Sequence, residues 1–97
     1  MRSRFSTSAR SELKSAARYY EDRRPELGVR FLAAVHHARR MIEAHPSLGS
    51  IVPDDQTDLR RLRVLGFPYW LVYEVTAQRI VILVVAHTSR DPEYWVP

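Results

Sequence analysis

The side chains best suited to form a site follow one apolar stretch. Ile80 to Ala86 reads I-V-I-L-V-V-A, and His87, Arg90 and Asp91 come directly after it. An imidazole can act as acid or base near neutral pH. A guanidinium can hold a carboxylate or phosphate through two parallel hydrogen bonds. A rigid strand that delivers both groups to its end has the form of a site. The same residues equally make an ordinary strand end, with His87, followed by Ser89 and Asp91, as a hydrogen-bonded structural residue and Arg90 paired with Asp91.

Two further sets of cations stand out. Arg10, Lys14 and Arg18 recur every fourth residue, which places them in one stripe if the segment is helical. Arg30, Arg39 and Arg40 add to that charge from the next segment. The stripe reads as a docking face for an acidic protein or a nucleic acid, or as a solubilising surface. Arg61 and Arg63 occupy alternate positions and so share one face of a strand, either solvated or set to meet a partner's carboxylates. Asp54, Asp55 and Asp58 read as a solvated loop. His36 and His37 are adjacent, about 100° apart on a helix, and neither has a second ligand four residues away. No metal site and no cofactor is expected.

Composition bounds the rest. Ninety-seven residues make one domain with one modest core. There is no cysteine, which excludes disulfides and thiolate chemistry and makes the cytoplasm the default location. No apolar run approaches the ~20 residues of a membrane span, and the N-terminal residues lack a signal-peptide core. The net charge is +4, and every basic residue but Lys14 is arginine. Arginine suits bidentate contacts, so an acidic partner is expected. Residues 1–45 hold ten basic and five acidic side chains, whereas residues 46–97 hold five and six. The positive half is therefore the half without the apolar strand.

The elements that must position these groups follow from periodicity. Met1 to Ser6 alternates Arg2 and Arg4 against Ser3 and Phe5 and fits a short first strand. Ser6, Thr7 and Ser8 are candidate N-caps for a helix whose apolar face is Ala9, Leu13, Ala16 and Tyr20. The small Ala9, Ala16 and Ala17 allow a neighbouring element to come close. After a break at Asp22 to Pro25, a second stripe, Leu27, Phe31, Val35, Ala38 and Ile42, runs until Pro46. Two helices so closely joined form an antiparallel hairpin. Pro46 to Asp58 is a long loop. The period then becomes two. Leu62 and Val64 oppose Arg61 and Arg63, Gly66-Phe67-Pro68 turns the chain, and Leu71, Tyr73 and Val75 alternate with Trp70, Val72 and Glu74. A second turn leads into Ile80 to Ala86, whose β-branched run predicts a strand buried on both faces and central in its sheet. The predicted class is α+β: a short N-terminal strand, an antiparallel helix hairpin, then a three-stranded antiparallel meander, with the helices packed on one sheet face.

With the elements in this order, four fragments resemble one family. They are the helix start Ala9-x-x-Glu12-Leu13, the R-P-E-L-G-x-R-F joint from Arg24 to Phe31, F-P-Y from Phe67 to Tyr69, and A-H-x-x-R-D-P-x-Y-W from Ala86 to Trp95. Together they are similar to the RelE/ParE superfamily of toxins from type II toxin–antitoxin systems, across essentially the whole chain. The resemblance implies a small toxin in a hetero-oligomer with an antitoxin encoded beside it, operator DNA being bound only through the antitoxin. RelE-like members cut messenger RNA on the ribosome without a metal, whereas ParE-like members poison DNA gyrase by binding. Metal-free cleavage needs a base, an acid and cations around the phosphorane. Here His87, Arg90, Arg61 and Arg63 would fill those roles, assisted by Glu74 or Tyr94. The sheet half has no lysine and a slight negative balance, which suits ribosomal RNA poorly. The leading expectation is therefore the ParE-like one, with Arg10, Lys14, Arg18, Arg61, Arg63, Tyr94 and Trp95 as partner contacts. The alternatives are a ribosome-dependent endoribonuclease and a non-toxic antitoxin partner.

Overall fold

A computed structural model describes residues 1–54 and 56–90; Asp55 and residues 91–97, among them Asp91, Tyr94 and Trp95, lie outside the described residues. The elements follow in the order β1 (Ser3–Phe5), α1 (Thr7–Arg23), α2 (Leu27–Ala44), β2 (Ser50–Ile51), β3 (Asp58–Arg63), β4 (Tyr69–Val75) and β5 (Ile80–His87). The strands form one sheet in the order β1-β5-β4-β3-β2. β1 runs parallel to β5, and the other neighbours are antiparallel. The α+β class, the hairpin and the meander are as the sequence predicts. β5 is internal, between β1 and β4, and Ile80, Val81, Ile82, Val85 and Ala86 are all buried.

One strand has no sequence signal. β2 is two residues long and lies inside the stretch read as loop. It is held from outside its own sequence. The Tyr73 hydroxyl accepts from Gly49 N–H at 2.8 Å and donates to the Pro46 carbonyl at 2.8 Å. Arg60 reaches the carbonyls of Ser47 and Gly49 at 3.0 and 3.1 Å and pairs with Asp58 at 2.9 Å. Asp58 thus opens a strand rather than standing in a solvated loop.

The helix hairpin is locked at its joint. Ser6 caps α1, its hydroxyl accepting from Ala9 N–H at 3.0 Å. α2 begins at Glu26, whose φ of 73° is left-handed and whose side chain makes no cap. The cap comes from the preceding helix instead. The Glu21 carboxylate accepts from Glu26 N–H at 2.9 Å and Gly28 N–H at 3.0 Å. It places negative charge at the positive end of α2. Gly28 sits where a Cβ would come within 2.5 Å of the Ala17 carbonyl oxygen, so only glycine lets the two backbones approach this closely.

The core between the helices and the sheet contains Phe31, Val35 and Ile42 from α2 and Leu71, Tyr73, Ile80, Ile82 and Val85 from the strands. Tyr20, Phe31, Phe67 and Tyr69 form an aromatic group with centroids 5.0–6.1 Å apart. It ties the β3–β4 turn to both helices. The opposite sheet face carries a smaller apolar cluster, Val52, Leu59, Val72 and Ala86, with no helix residue in it.

β5 contains an irregularity that decides where its end points. Val72 pairs with Val84 and Tyr73 with Ile82, so Leu83 is an extra residue. Ile80 and Ile82 face the helices before the bulge, and Val85 and His87 do so after it. Unbroken alternation would have turned His87 to the other face. β1 ends at Phe5, opposite Ile82, so the outer edge of β5 loses its strand partner there. α1 takes over that edge. Ser6 N–H donates to the Ile82 carbonyl at 2.8 Å, the Ser6 hydroxyl donates to the Leu83 carbonyl at 3.1 Å, and the Glu12 carboxylate accepts from Val85 N–H at 3.0 Å.

Glu12→Ala should cost about 1–3 kcal/mol by leaving the Val85 N–H without its acceptor. Amide exchange at Val85 should rise more than at Ile82, while Glu12→Gln, which keeps an oxygen there, should lose less. Gly28→Ala should lower stability even though alanine gains about 1 kcal/mol of helix propensity, because overpacking against a backbone oxygen costs about 1–3 kcal/mol. A thermal melt reads both. Burial pushes the Tyr20, Tyr69 and Tyr73 phenols above their ordinary value of 10.0. The unfolded chain ionises first, so it binds fewer protons than the folded one at high pH. This stabilisation is complete below about pH 10 and is lost as the pH rises through the folded values. Melts from neutral pH upward should show Tm falling from about pH 10.

Candidate functional site

His87 and Arg90 line an open cleft of about 320 Å³ between α1 and the end of β5, together with Glu12, Tyr19, Tyr69 and Val85. The His87 ring packs edge-on to Tyr69 with centroids 5.3 Å apart. Its Nδ1 accepts from Ser89 N–H at 3.1 Å and lies 2.8 Å from the Ser89 hydroxyl. A backbone N–H can only donate, so Nδ1 is the acceptor and the neutral ring carries its proton on Nε2. Held this way, the imidazole has its Nδ1 lone pair engaged by its own turn.

Arg61 and Arg63 lie elsewhere. Their guanidinium carbons stand 4.2 and 5.7 Å from the Trp70 ring centroid. Arg63 also donates from Nε to the Phe67 carbonyl at 3.2 Å. Trp70 packs with the Val52, Leu59, Val72 and Ala86 cluster, on the face turned away from the helices. Glu74 shares that face by alternation along β4. The sheet therefore separates His87 and Arg90 from Arg61, Arg63 and Glu74. Tyr94 and Trp95 lie outside the described residues.

Arg10, Lys14 and Arg18 are all exposed on α1, and their side chains make no hydrogen bond or ion pair among the described residues. Arg30 and Arg40 are exposed as well. Arg39 is not part of this surface. It donates to the Ser3 hydroxyl at 2.7 Å and the Ser3 carbonyl at 2.8 Å, and it stacks on Phe5 at 5.0 Å, tying α2 to β1. Glu43 completes that tie by accepting from the Ser3 hydroxyl at 2.6 Å and Ser3 N–H at 3.1 Å.

Sequence reasoning passed over the residues that aim these groups. Glu12, Glu21, Glu43 and Arg60 act on backbone atoms far away in the chain or across a turn. The available signal was indirect: α2 has no acidic residue in its first turn and no capping side chain of its own, so its N-terminus had to find an acceptor elsewhere. His36 and His37 are exposed, and among the described residues no three histidine, aspartate or glutamate side chains converge. No described helix is long and apolar enough to cross a membrane.

The family model of the ParE toxin of the type II toxin–antitoxin system parDE matches residues 4–92. Among solved structures the fold is similar to a chain of the chromosomal ParDE toxin–antitoxin system from P. aeruginosa. The TM-score is 0.75 at 17% sequence identity, covering 90% of this chain and 95% of that one. No curated protein matches the chain. The family match spans nearly every residue from β1 to the end of the described chain, including the joint, the F-P-Y turn and the end of β5. The chain therefore belongs to the ParE toxin family of type II toxin–antitoxin systems.

Proposed function

We propose that this chain is a toxin that acts by binding, that its target is DNA gyrase, and that an antitoxin encoded beside it neutralises it in the cytoplasm. Family membership supports the toxin assignment. The observation that carries the choice of binding over RNA cleavage is the split of the cations across the sheet. A metal-free nuclease needs its base and its phosphorane-stabilising charges around one scissile phosphate. Here His87 and Arg90 face the α1 cleft, and Arg61 and Arg63 stack on Trp70 on the reverse face. His87 additionally spends its Nδ1 lone pair on the Ser89 turn.

For the antitoxin we favour the reverse sheet face. Protein interfaces are anchored by aromatic and arginine side chains over an apolar centre. Trp70 between Arg61 and Arg63, beside Leu83 and Val84, has that composition. The two guanidinium groups would meet carboxylates of the antitoxin. Tyr94 and Trp95, outside the described residues, are proposed as further antitoxin contacts.

The test is a gyrase supercoiling assay with purified full-length chain, run beside mapping of new RNA 5′ ends after a brief induced pulse without the neighbouring gene. The expected outcome is growth arrest, inhibited supercoiling and no reading-frame-locked cuts. A folded His87→Ala variant should keep inhibition within about twofold of the parent, since a loss of 1.4 kcal/mol would already be tenfold. Frame-locked cuts abolished by His87→Ala would instead establish a ribosome-dependent endoribonuclease acting on messenger RNA. Absence of arrest would establish a non-toxic antitoxin partner. Arg61→Glu with Arg63→Glu should weaken antitoxin binding at least tenfold, about 1.4 kcal/mol, in a titration by calorimetry.

A further inference from the structure

The hairpin has five carboxylates, and three of them are turned onto the protein's own backbone. Glu12 accepts from Val85 N–H, Glu21 from Glu26 and Gly28 N–H, and Glu43 from Ser3 N–H. None of these three is set against the cations of α1. Of the other two, Asp22 is exposed one turn beyond Arg18 and Glu26 lies at the joint, so no acid faces solvent on α1 between Thr7 and Arg18. From Thr7 to Arg18 every exposed position of α1 is either a cation or a hydroxyl: Arg10, Lys14 and Arg18 with Thr7, Ser8, Ser11 and Ser15. No acid and no large apolar side chain interrupts them.

That composition separates two kinds of acidic partner. A protein interface centres on aromatic or aliphatic anchors, and this face has none between Thr7 and Arg18. Contacts to nucleic-acid phosphates are made by Arg and Lys together with Ser and Thr hydroxyls, and they need no apolar centre. Three cations one turn apart extend about 12 Å along the helix axis, enough to follow consecutive phosphates of one groove edge. The lysine and the hydroxyls of Thr7, Ser8, Ser11 and Ser15 suit phosphate contacts, which position a protein on the duplex without reading its sequence.

We propose that the outer face of α1 binds the phosphate backbone of duplex DNA directly, through Arg10, Lys14 and Arg18. This goes beyond the gyrase and antitoxin assignments and does not depend on either. A toxin with its own hold on DNA would be concentrated where a DNA-bound target works, with the reverse sheet face still open to a protein.

The test is fluorescence anisotropy of the full-length chain, free of gyrase and antitoxin, with a short labelled duplex of arbitrary sequence. Neutralising three phosphates predicts a log K versus log salt slope of about −2.7, and so an affinity that falls about 40-fold between about 50 and 200 mM salt. Combined Arg10→Gln, Lys14→Gln and Arg18→Gln should abolish the binding. Lys14→Gln alone should reduce the slope by about 0.9, which keeps the question answerable if the triple variant does not fold. Arg30→Gln, Arg40→Gln and Arg79→Gln together remove the same net charge elsewhere and should leave the slope unchanged. The proposal is overturned by no binding at the lowest salt, by a slope indifferent to Lys14→Gln, or by equal losses in the two triple variants. Binding of labelled polyglutamate as tight as that of DNA through the same three residues would assign the face to an acidic protein and overturn it as well.

Discussion

The outer edge of β5 beyond Ile82 is the constraint around which the molecule is arranged. β1 supplies three residues of parallel pairing and then ends, while β5 continues to His87. Buried carbonyl and amide groups without partners are costly, so the remaining edge has to be satisfied by something other than a strand. Ser6, the cap of α1, and Glu12 within it do this across the bulge at Leu83. Their reach sets how α1 lies on the sheet. Because α2 is clamped to α1 through Gly28 and Glu21, the same contacts set the position of the whole hairpin.

A second consequence is electrostatic. Three carboxylates of the hairpin, Glu12, Glu21 and Glu43, serve as acceptors for backbone N–H groups, and Glu43 also pairs with Arg39 of its own helix at 3.8 Å. A charged acceptor makes a stronger hydrogen bond than a neutral one, and two of these three link elements distant in sequence. Their use in the fold leaves the exterior of α1 positive. The other arginine pair, on β3, is tied to Trp70 and carries an apolar surround. The protein thus presents two cationic surfaces of different composition on opposite sides, one of hydroxyls and charges and one with an aromatic centre.

The same separation bears on how a scaffold of this kind changes chemistry. A fold does not fix a reaction; the reaction depends on which side chains share one space. Here the bulge turns His87 toward α1, while strict alternation on β3 keeps Arg61 and Arg63 on the reverse face. The imidazole and the two strand arginines are close in the sheet but face different environments. Each group then has a local role available: His87 closes the turn at the end of β5, and the arginines stack on an indole, an attraction between a cation and the negative face of the ring.

Much of the architecture follows from the order of residues alone, because its signals are periodic and local. The stripes Ala9–Tyr20 and Leu27–Ile42 can bury one side only as helices. The alternation from Leu62 to Val75 can do so only as strands, and the β-branched run from Ile80 needs cover on both faces. The same logic marked Gly66 as a turn and the alanines of α1 as a place of close approach. β2 was not legible, since two residues have no period and are held by Tyr73 and Arg60 from other strands. The bulge was not legible either: seven apolar residues look alike whether or not one is extra, and parity is decided by pairing with β4 and by the reach of Glu12. The candidate site therefore divides in the same way. Which residues are charged, and how they are spaced, is written in the chain. Which of them share a face depends on one inserted residue and on contacts such as that of Ser6 with Leu83, seventy-seven positions away, and only the tertiary structure sets those.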